Sequence, residues 1–229
     1  MDIYSKTSAS LGRKWFITST ELAFITLAAL IMFGSLEPVV AGWFGWPVAD
    51  HVVARRVVLI MFNLVTLARF SLMMFVFLKR EVHVAELISV PVAFFLYLLV
   101  FPVLALPAQG PLDLWDGLGI ALFLIGGALN TIGEAQRYAF KRDPMSKGRL
   151  FTGGLFAWSQ HVNYLGDVLW VAGYAFVAHQ IWGGLIPLVL LSFFVFSGIP
   201  ALDKHLAEHY GEQYTDYAAK TKKLVPFVW

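Results

Sequence analysis

Ser159-Gln160-His161-Val162-Asn163-Tyr164-Leu165-Gly166-Asp167 runs directly into Val168-Leu169-Trp170-Val171-Ala172-Gly173-Tyr174-Ala175-Phe176-Val177-Ala178. A His, an Asn, a Tyr and an Asp crowd the mouth of an apolar segment that should otherwise avoid polar groups. Strongly polar side chains are costly near hydrocarbon and normally line a polar cavity when they occur there. The stretch therefore predicts a membrane-spanning helix with a polar site at its entrance.

Composition agrees with that reading. The 229 residues are 59% hydrophobic and 14% charged, with a mean hydropathy of +0.70, whereas soluble domains are about 25% charged. The expected fold class is an all-α, polytopic integral membrane protein forming a single membrane domain over 1–229. A span needs about 20 apolar residues. Six are expected, roughly Leu22–Gly42, Val53–Leu78, Val84–Leu106, Trp115–Tyr138, Tyr164–His179 and Gly183–Pro200, followed by a C-terminal amphipathic helix. The last two spans, separated by Gln180-Ile181-Trp182, read as a helical hairpin.

Lys and Arg set orientation, being enriched on the cytoplasmic side. Lys79-Arg80, the loop holding Lys141, Arg142, Lys147 and Arg149, and the tail with Lys220, Lys222 and Lys223 fall on one side, while the loops at 106–113 and 180–182 carry neither residue. Both termini are expected in the cytoplasm, and Arg55-Arg56 is the one discordant pair. Met1 to Thr20, with Lys6, Arg13 and Lys14, reads as the flank of a retained first span rather than a signal peptide. The absence of Cys removes disulfides and thiolate metal sites. A net charge of +2 gives no case for nucleic acid. The expected partners are the lipid bilayer and a hydrophobic small molecule.

The fourth expected span ends in a polar stripe. Asn130, Glu134, Arg137 and Lys141 are spaced by four, three and four, which places them on one helix face. They read as one wall of a cofactor pocket, or as a helix end emerging into water with Glu134–Arg137 an ordinary intrahelical pair. The cations from Lys141 to Arg149 read equally as topological bias or as a phosphate grip. On the fifth span Asn163, Tyr164 and Asp167 share a face, and an Asn amide suits another amide or a ribose. In the tail, Asp203, Tyr210, Tyr214 and Tyr217 fall on one helical face, as packing or as the edge of a pocket. His205-Leu206-Ala207-Glu208-His209 matches a zinc-peptidase pattern, but no third ligand is evident and no metal is expected. There is no dinucleotide glycine fingerprint, P-loop or Ser nucleophile elbow.

Gly153-Gly154-Leu155-Phe156, His161-Val162-Asn163-Tyr164-Leu165-Gly166-Asp167, the run His209 to Tyr217, and Lys223-Leu224-Val225-Pro226-Phe227 resemble the C-terminal half of the steroid 5α-reductases. Sterol reductases, isoprenylcysteine methyltransferases and a bacterial branch share the pattern. The resemblance covers roughly Asn130 to Trp229. It implies a division into substrate-side helices over 1–115 and a cofactor-binding half over 116–229. That half would hold NADPH in a reductase and S-adenosylmethionine in a methyltransferase. Gln160 and Val162 stand where methyltransferases carry Arg and Pro, which favours a reductase.

The cofactor residues so implied are Arg69, Asn130, Glu134, Arg137, Lys141, Arg149, His161, Asn163, Tyr164, Asp167, Asp203, Tyr210 and Tyr214. The reductases hold a ketone with an adjacent Gln-Glu pair and a Tyr. No such pair occurs here; the acids in or beside the first span are Glu21 and Glu37, and Tyr97 is a membrane Tyr. Glu37 and Tyr97 are the expected catalytic residues, although Glu37, just before Pro38, also suits a span end at the interface. The function implied is NADPH-dependent reduction of an activated C=C bond in a steroid- or isoprenoid-like substrate. The alternatives are methyl transfer from S-adenosylmethionine to a lipidic substrate, or a non-catalytic membrane protein of the same fold. The expected location is a bacterial inner membrane or an endoplasmic reticulum, with the pocket facing the cytoplasm.

Overall fold

A computed structural model describes residues 10–47 and 53–229; Lys6 lies outside them. Every regular element among the described residues is helical: α1 (Leu11–Phe33), α2 (Glu37–Trp43), α3 (Val53–Phe77), α4 (Glu86–Leu104), α5 (Leu114–Arg142), α6 (Val162–Ala178), α7 (Ile181–Tyr210) and α8 (Glu212–Lys220). Five of these, α1, α3, α4, α5 and α7, are long and apolar enough to cross a membrane. The fifth expected span is α6, whose 17 residues reach about 26 Å against a hydrocarbon core of about 30 Å.

Three boundaries differ from the sequence reading. The first span begins at Leu11 rather than Leu22 and ends at Phe33, with a turn at Gly34 before α2. Its early start places two cations inside a helix, and both find partners. Lys14 Nζ donates to the Leu78 carbonyl at 2.9 Å, and Arg13 to Glu81 Oε1 and the Val82 carbonyl at 2.8 and 2.7 Å. The last span runs on past Pro200, which directly follows a wide, π-type turn at Phe194–Gly198. The expected single tail face is broken at Gly211, whose φ of 53° leaves the right-handed helix. Asp203 and Tyr210 therefore belong to α7, and Tyr214 and Tyr217 to α8.

The helices form two compact units, Met1–Ile120 with Gly173–Gly184, and Ala121–Ala172 with Leu185–Trp229. The end of α6 belongs to the first unit. In that first unit α1 packs on α3 and α4. A wide turn at Leu96–Val100 interrupts the regular helical ladder of α4, and Asn63 of α3 donates to the Leu98 carbonyl at 2.9 Å. The start of α5 meets the end of α6 so closely that a Cβ on Gly119 would lie 2.8 Å from the Gly173 carbonyl oxygen.

Arg55 and Arg56, the discordant pair, are both buried and both matched. Arg55 grips Asp116 with Nε and Nη2 at 2.9 and 2.8 Å, and Arg56 grips both oxygens of Glu37. Removing one partner from such a buried pair typically costs about 3–5 kcal/mol.

In the second unit, α5 and α6 approach at Gly126 and Gly166. A Cβ on Gly126 would lie 2.4 Å from Trp170 N, and one on Gly166 would lie 2.7 Å from Asn130 N. Small residues permit this backbone approach, and it brings polar side chains of the two helices within bonding reach. The tail then folds back: the N–H groups of Gln160 and His161 donate to the carbonyls of Lys222 and Lys223, each at 2.9 Å.

Candidate functional site

The polar stripe of α5 and the polar mouth of α6 meet in the second unit. Asn130 Nδ2 donates to Asp167 Oδ1 at 2.8 Å, and Trp170 Nε1 donates to the same oxygen at 2.9 Å. One turn further along α5, Glu134 accepts from Asn163 Nδ2 at 3.0 Å and from Arg137. Glu134 and Asn163 are buried, while Arg137 is partly exposed. Glu134–Arg137 is thus an intrahelical pair and also the end of a cross-helix network.

The Gly153-Gly154-Leu155-Phe156 turn has a steric reason. Gly154 takes a φ of 56°, and a Cβ there would lie 2.2 Å from Gln136 Oε1, which accepts the Leu155 N–H at 2.9 Å. Beyond the turn, His161 is fully buried. Its Nε2 lies 2.8 Å from Asp203 Oδ1, and Lys223 Nζ donates to the other Asp203 oxygen at 3.0 Å. His161 Nδ1 is buried without a hydrogen-bond partner among the described residues. Tyr164 stacks between the His161 ring and Phe194.

The tail closes this end. Tyr214 donates to Gln160 Oε1 at 3.3 Å, and Tyr217 donates to the Phe156 carbonyl at 2.6 Å. Burial pushes both phenols above the ordinary tyrosine range, and the Asp203 carboxylate beside Tyr214 adds to the effect.

Of the expected cofactor residues, the structure brings together Asn130, Glu134, Arg137, Asn163 and Asp167 in one network, and His161, Tyr164, Asp203 and Tyr214 around another. Lys141 and Arg149 are exposed and outside both. Tyr210 packs edge-on against His209 and has no bond to either network. Arg69 belongs to the first unit, near the end of the regular α3 helix.

Sequence reading missed Gln136, Ser159, Gln160, Trp170 and Lys223. Trp170 carried a signal, lying three residues from Asp167 on the same helix face. Lys223 carried none, because its partner is reached only when the tail folds back.

In the first unit, Glu37, one of the expected catalytic residues, is buried and paired through both carboxylate oxygens with Arg56. Tyr97 is buried beside Phe94 in the wide turn of α4. The carboxyl that stands out instead is Glu21 on α1. It is 0% exposed, and neither oxygen has a hydrogen-bond partner among the described residues. A second buried cluster, also absent from the sequence reading, joins Tyr174 to Asn63 Oδ1 at 2.9 Å and to Thr66 at 3.3 Å.

Asp113, Asp116 and His179 are spaced closely enough to hold a cation. Their carboxylates already serve as a cap. Asp113 Oδ1 accepts from Trp115 N and Asp116 N, and Asp116 accepts from Asp113 N and Arg55. The reciprocal pattern is a capping box at the start of α5.

Comparison with known proteins places this geometry in a family. The chain matches the model of DUF1295, described as a protein of unknown function, over residues 69–221. It is 34% identical over 88 residues to a probable O-methyltransferase, ustE, of Ustilaginoidea virens, a match covering 38% of this chain and 31% of that one. It is 28% identical over 119 residues to 3-oxo-5-alpha-steroid 4-dehydrogenase 2 of Homo sapiens, covering 51% and 44%. To the protein-S-isoprenylcysteine O-methyltransferase of Saccharomyces cerevisiae it is 27% identical over 116 residues, covering 48% of each. The chain thus spans about a third to a half of the length of these relatives. The resemblance read from the sequence holds: the chain belongs to the DUF1295 family, within the group that includes steroid reductases and isoprenylcysteine methyltransferases.

Proposed function

We propose that this DUF1295 member is a membrane-embedded reductase that uses NADPH to reduce an activated C=C bond in a hydrophobic, steroid- or isoprenoid-like substrate. The observation that carries the reading is the pair of cross-helix links, Asn130 to Asp167 and Glu134 to Asn163. Together they fix side chains rich in donors and acceptors where a nicotinamide amide and its riboses would find partners. The orphaned Nδ1 of His161 fits the same reading, since a buried polar atom of this kind is normally satisfied. NADPH, when bound, supplies a hydride.

The protein's own tasks are to hold and to orient. Asn130, Glu134, Asn163 and Asp167 hold the nicotinamide nucleoside. Arg137 and Asp203 fix Glu134 and His161 in place, and Tyr164 and Tyr214 wall the His161 side. Lys141 and Arg149, exposed and without ion pairs among the described residues, hold phosphates.

The O-methyltransferase relatives support a second reading, methyl transfer from S-adenosylmethionine, in which the same polar residues hold the nucleoside and no phosphate grip is used. Thermal unfolding of the detergent-purified protein separates the two. NADPH should raise the melting temperature, and Arg149→Ala should weaken NADPH binding roughly 10- to 100-fold, the value of a charge-assisted hydrogen bond. A rise with S-adenosylmethionine alone selects the second reading, and unchanged NADPH affinity in Arg149→Ala removes the phosphate role.

A further inference from the structure

The loop between α5 and α6 is built as a rigid tip. Pro144–Ser146 forms a single turn capped by Asp143, whose Oδ1 accepts the Met145 N–H at 2.9 Å and whose carbonyl accepts from Ser146 Oγ at 2.8 Å. Gly148 reverses the chain with a φ of 76°. Gln213 of α8 then clamps both sides of that reversal, accepting from Leu150 N and donating to the Gly148 carbonyl, each at 3.1 Å. The turn displays Met145 at 80% exposure. Around it Lys141, Arg142, Lys147 and Arg149 are all exposed, and none makes an ion pair among the described residues. The one acid of the loop, Asp143, spends an oxygen on the cap.

An apolar side chain held outward on an ordered turn, flanked by exposed cations at the end of a membrane helix, is poorly suited to bulk water. We propose that this loop is a docking surface for anionic phospholipid headgroups of the leaflet in which α5 ends. Met145 enters the interfacial layer, and Arg142 and Lys147 engage the headgroup phosphates. Charge complementarity and the position at a span end identify lipid as the occupant. Each basic residue close to an anionic surface is worth roughly fivefold in preference. Arg142, Lys147 and Met145 have no part in the cofactor reading, so the two proposals can fail separately.

The test is lipid retention. The protein is reconstituted in bilayers of equal parts phosphatidylglycerol and phosphatidylcholine and extracted, and the retained lipids are counted by native mass spectrometry. The wild-type protein should retain phosphatidylglycerol preferentially. Arg142→Ala with Lys147→Ala should lower that preference by up to about 25-fold, with folding checked by an unchanged melting temperature in phosphatidylcholine alone. Met145→Ser should reduce the total retained without changing the ratio. An equal phosphatidylglycerol preference in the double variant overturns the proposal. So does stabilisation of the wild type, and not the double variant, by inorganic pyrophosphate in phosphatidylcholine bilayers, which would assign the loop to a soluble phosphate ligand.

Discussion

At the scale of single residues, the second unit depends on side chains that bond across helices rather than along them. Asn163 is the sharpest case, because its amide holds Glu134 where no other helix supplies a donor among the described residues. Asn163→Leu keeps the volume but leaves one oxygen of a buried carboxylate unmatched, at a cost of about 1–3 kcal/mol. The expected result is a lower melting temperature in detergent together with loss of any NADPH-induced rise; a variant that still shows the full rise would remove Asn163 from the binding site. The tail tyrosines make a prediction in pH. Burial holds the Tyr217 phenol above the ordinary range, so its contribution is fully present below the unfolded value of about 10. Above that value the unfolded chain gives up its proton while the folded chain keeps it, and stability falls as pH rises. Tyr217→Phe should therefore lose less melting temperature than wild type between about pH 9 and 11, although it starts lower by one hydrogen bond to Phe156.

At the scale of elements, glycine sets how closely α5 and α6 pack. Gly166→Ala would drive a Cβ to 2.7 Å from the backbone nitrogen of Asn130 and the same distance from the Gly126 oxygen. Backbone cannot step aside cheaply, and overpacking of this kind costs about 1–3 kcal/mol or more. Gly117→Ala, on the partner helix α5 but facing open space, should be neutral or slightly stabilising. Comparing the yield of monodisperse protein for the two variants checks the packing, and equal yields would argue against the observed approach.

These elements also mark what the sequence could reveal. The α5 stripe and the α6 mouth were legible because helical periodicity forces Asn130, Glu134 and Arg137, and likewise Asn163 and Asp167, onto single faces. The break at Gly211 and the early start of α1 were not. Hydropathy does not register a residue such as Lys14 that neutralises its cost with a distant carbonyl, and it extends a helical pattern through any single glycine. Glu21 and Glu37 were equivalent acids in sequence, and only the approach of Arg56 separates a committed carboxylate from an unpartnered one.

At the scale of the whole molecule, the open matter is which loops share a side of the membrane, and hydrogen bonds constrain it more tightly than charge counting. The backbones of Gln160 and His161 bond to those of Lys222 and Lys223, so the start of α6 and the end of the tail lie together. The chain between them should therefore cross an even number of times, and if α7 crosses, the expectation is that the 17-residue α6 crosses with it. Interfacial Trp182 and local bilayer thinning make that length workable. Arg55 and Arg56, the cations on the other side, are buried in pairs with Asp116 and Glu37 rather than displayed on a loop. The absence of Cys from the chain permits a direct measurement with single-cysteine variants and a membrane-impermeant maleimide. Lys147→Cys and Val228→Cys should react from the cytoplasmic face, and Gln109→Cys, beyond the other end of α5, should react only from the opposite face. If Val228→Cys reacted from the same face as Gln109→Cys, α6 would not cross, and the bonds joining the tail to the start of α6 could not exist in the membrane.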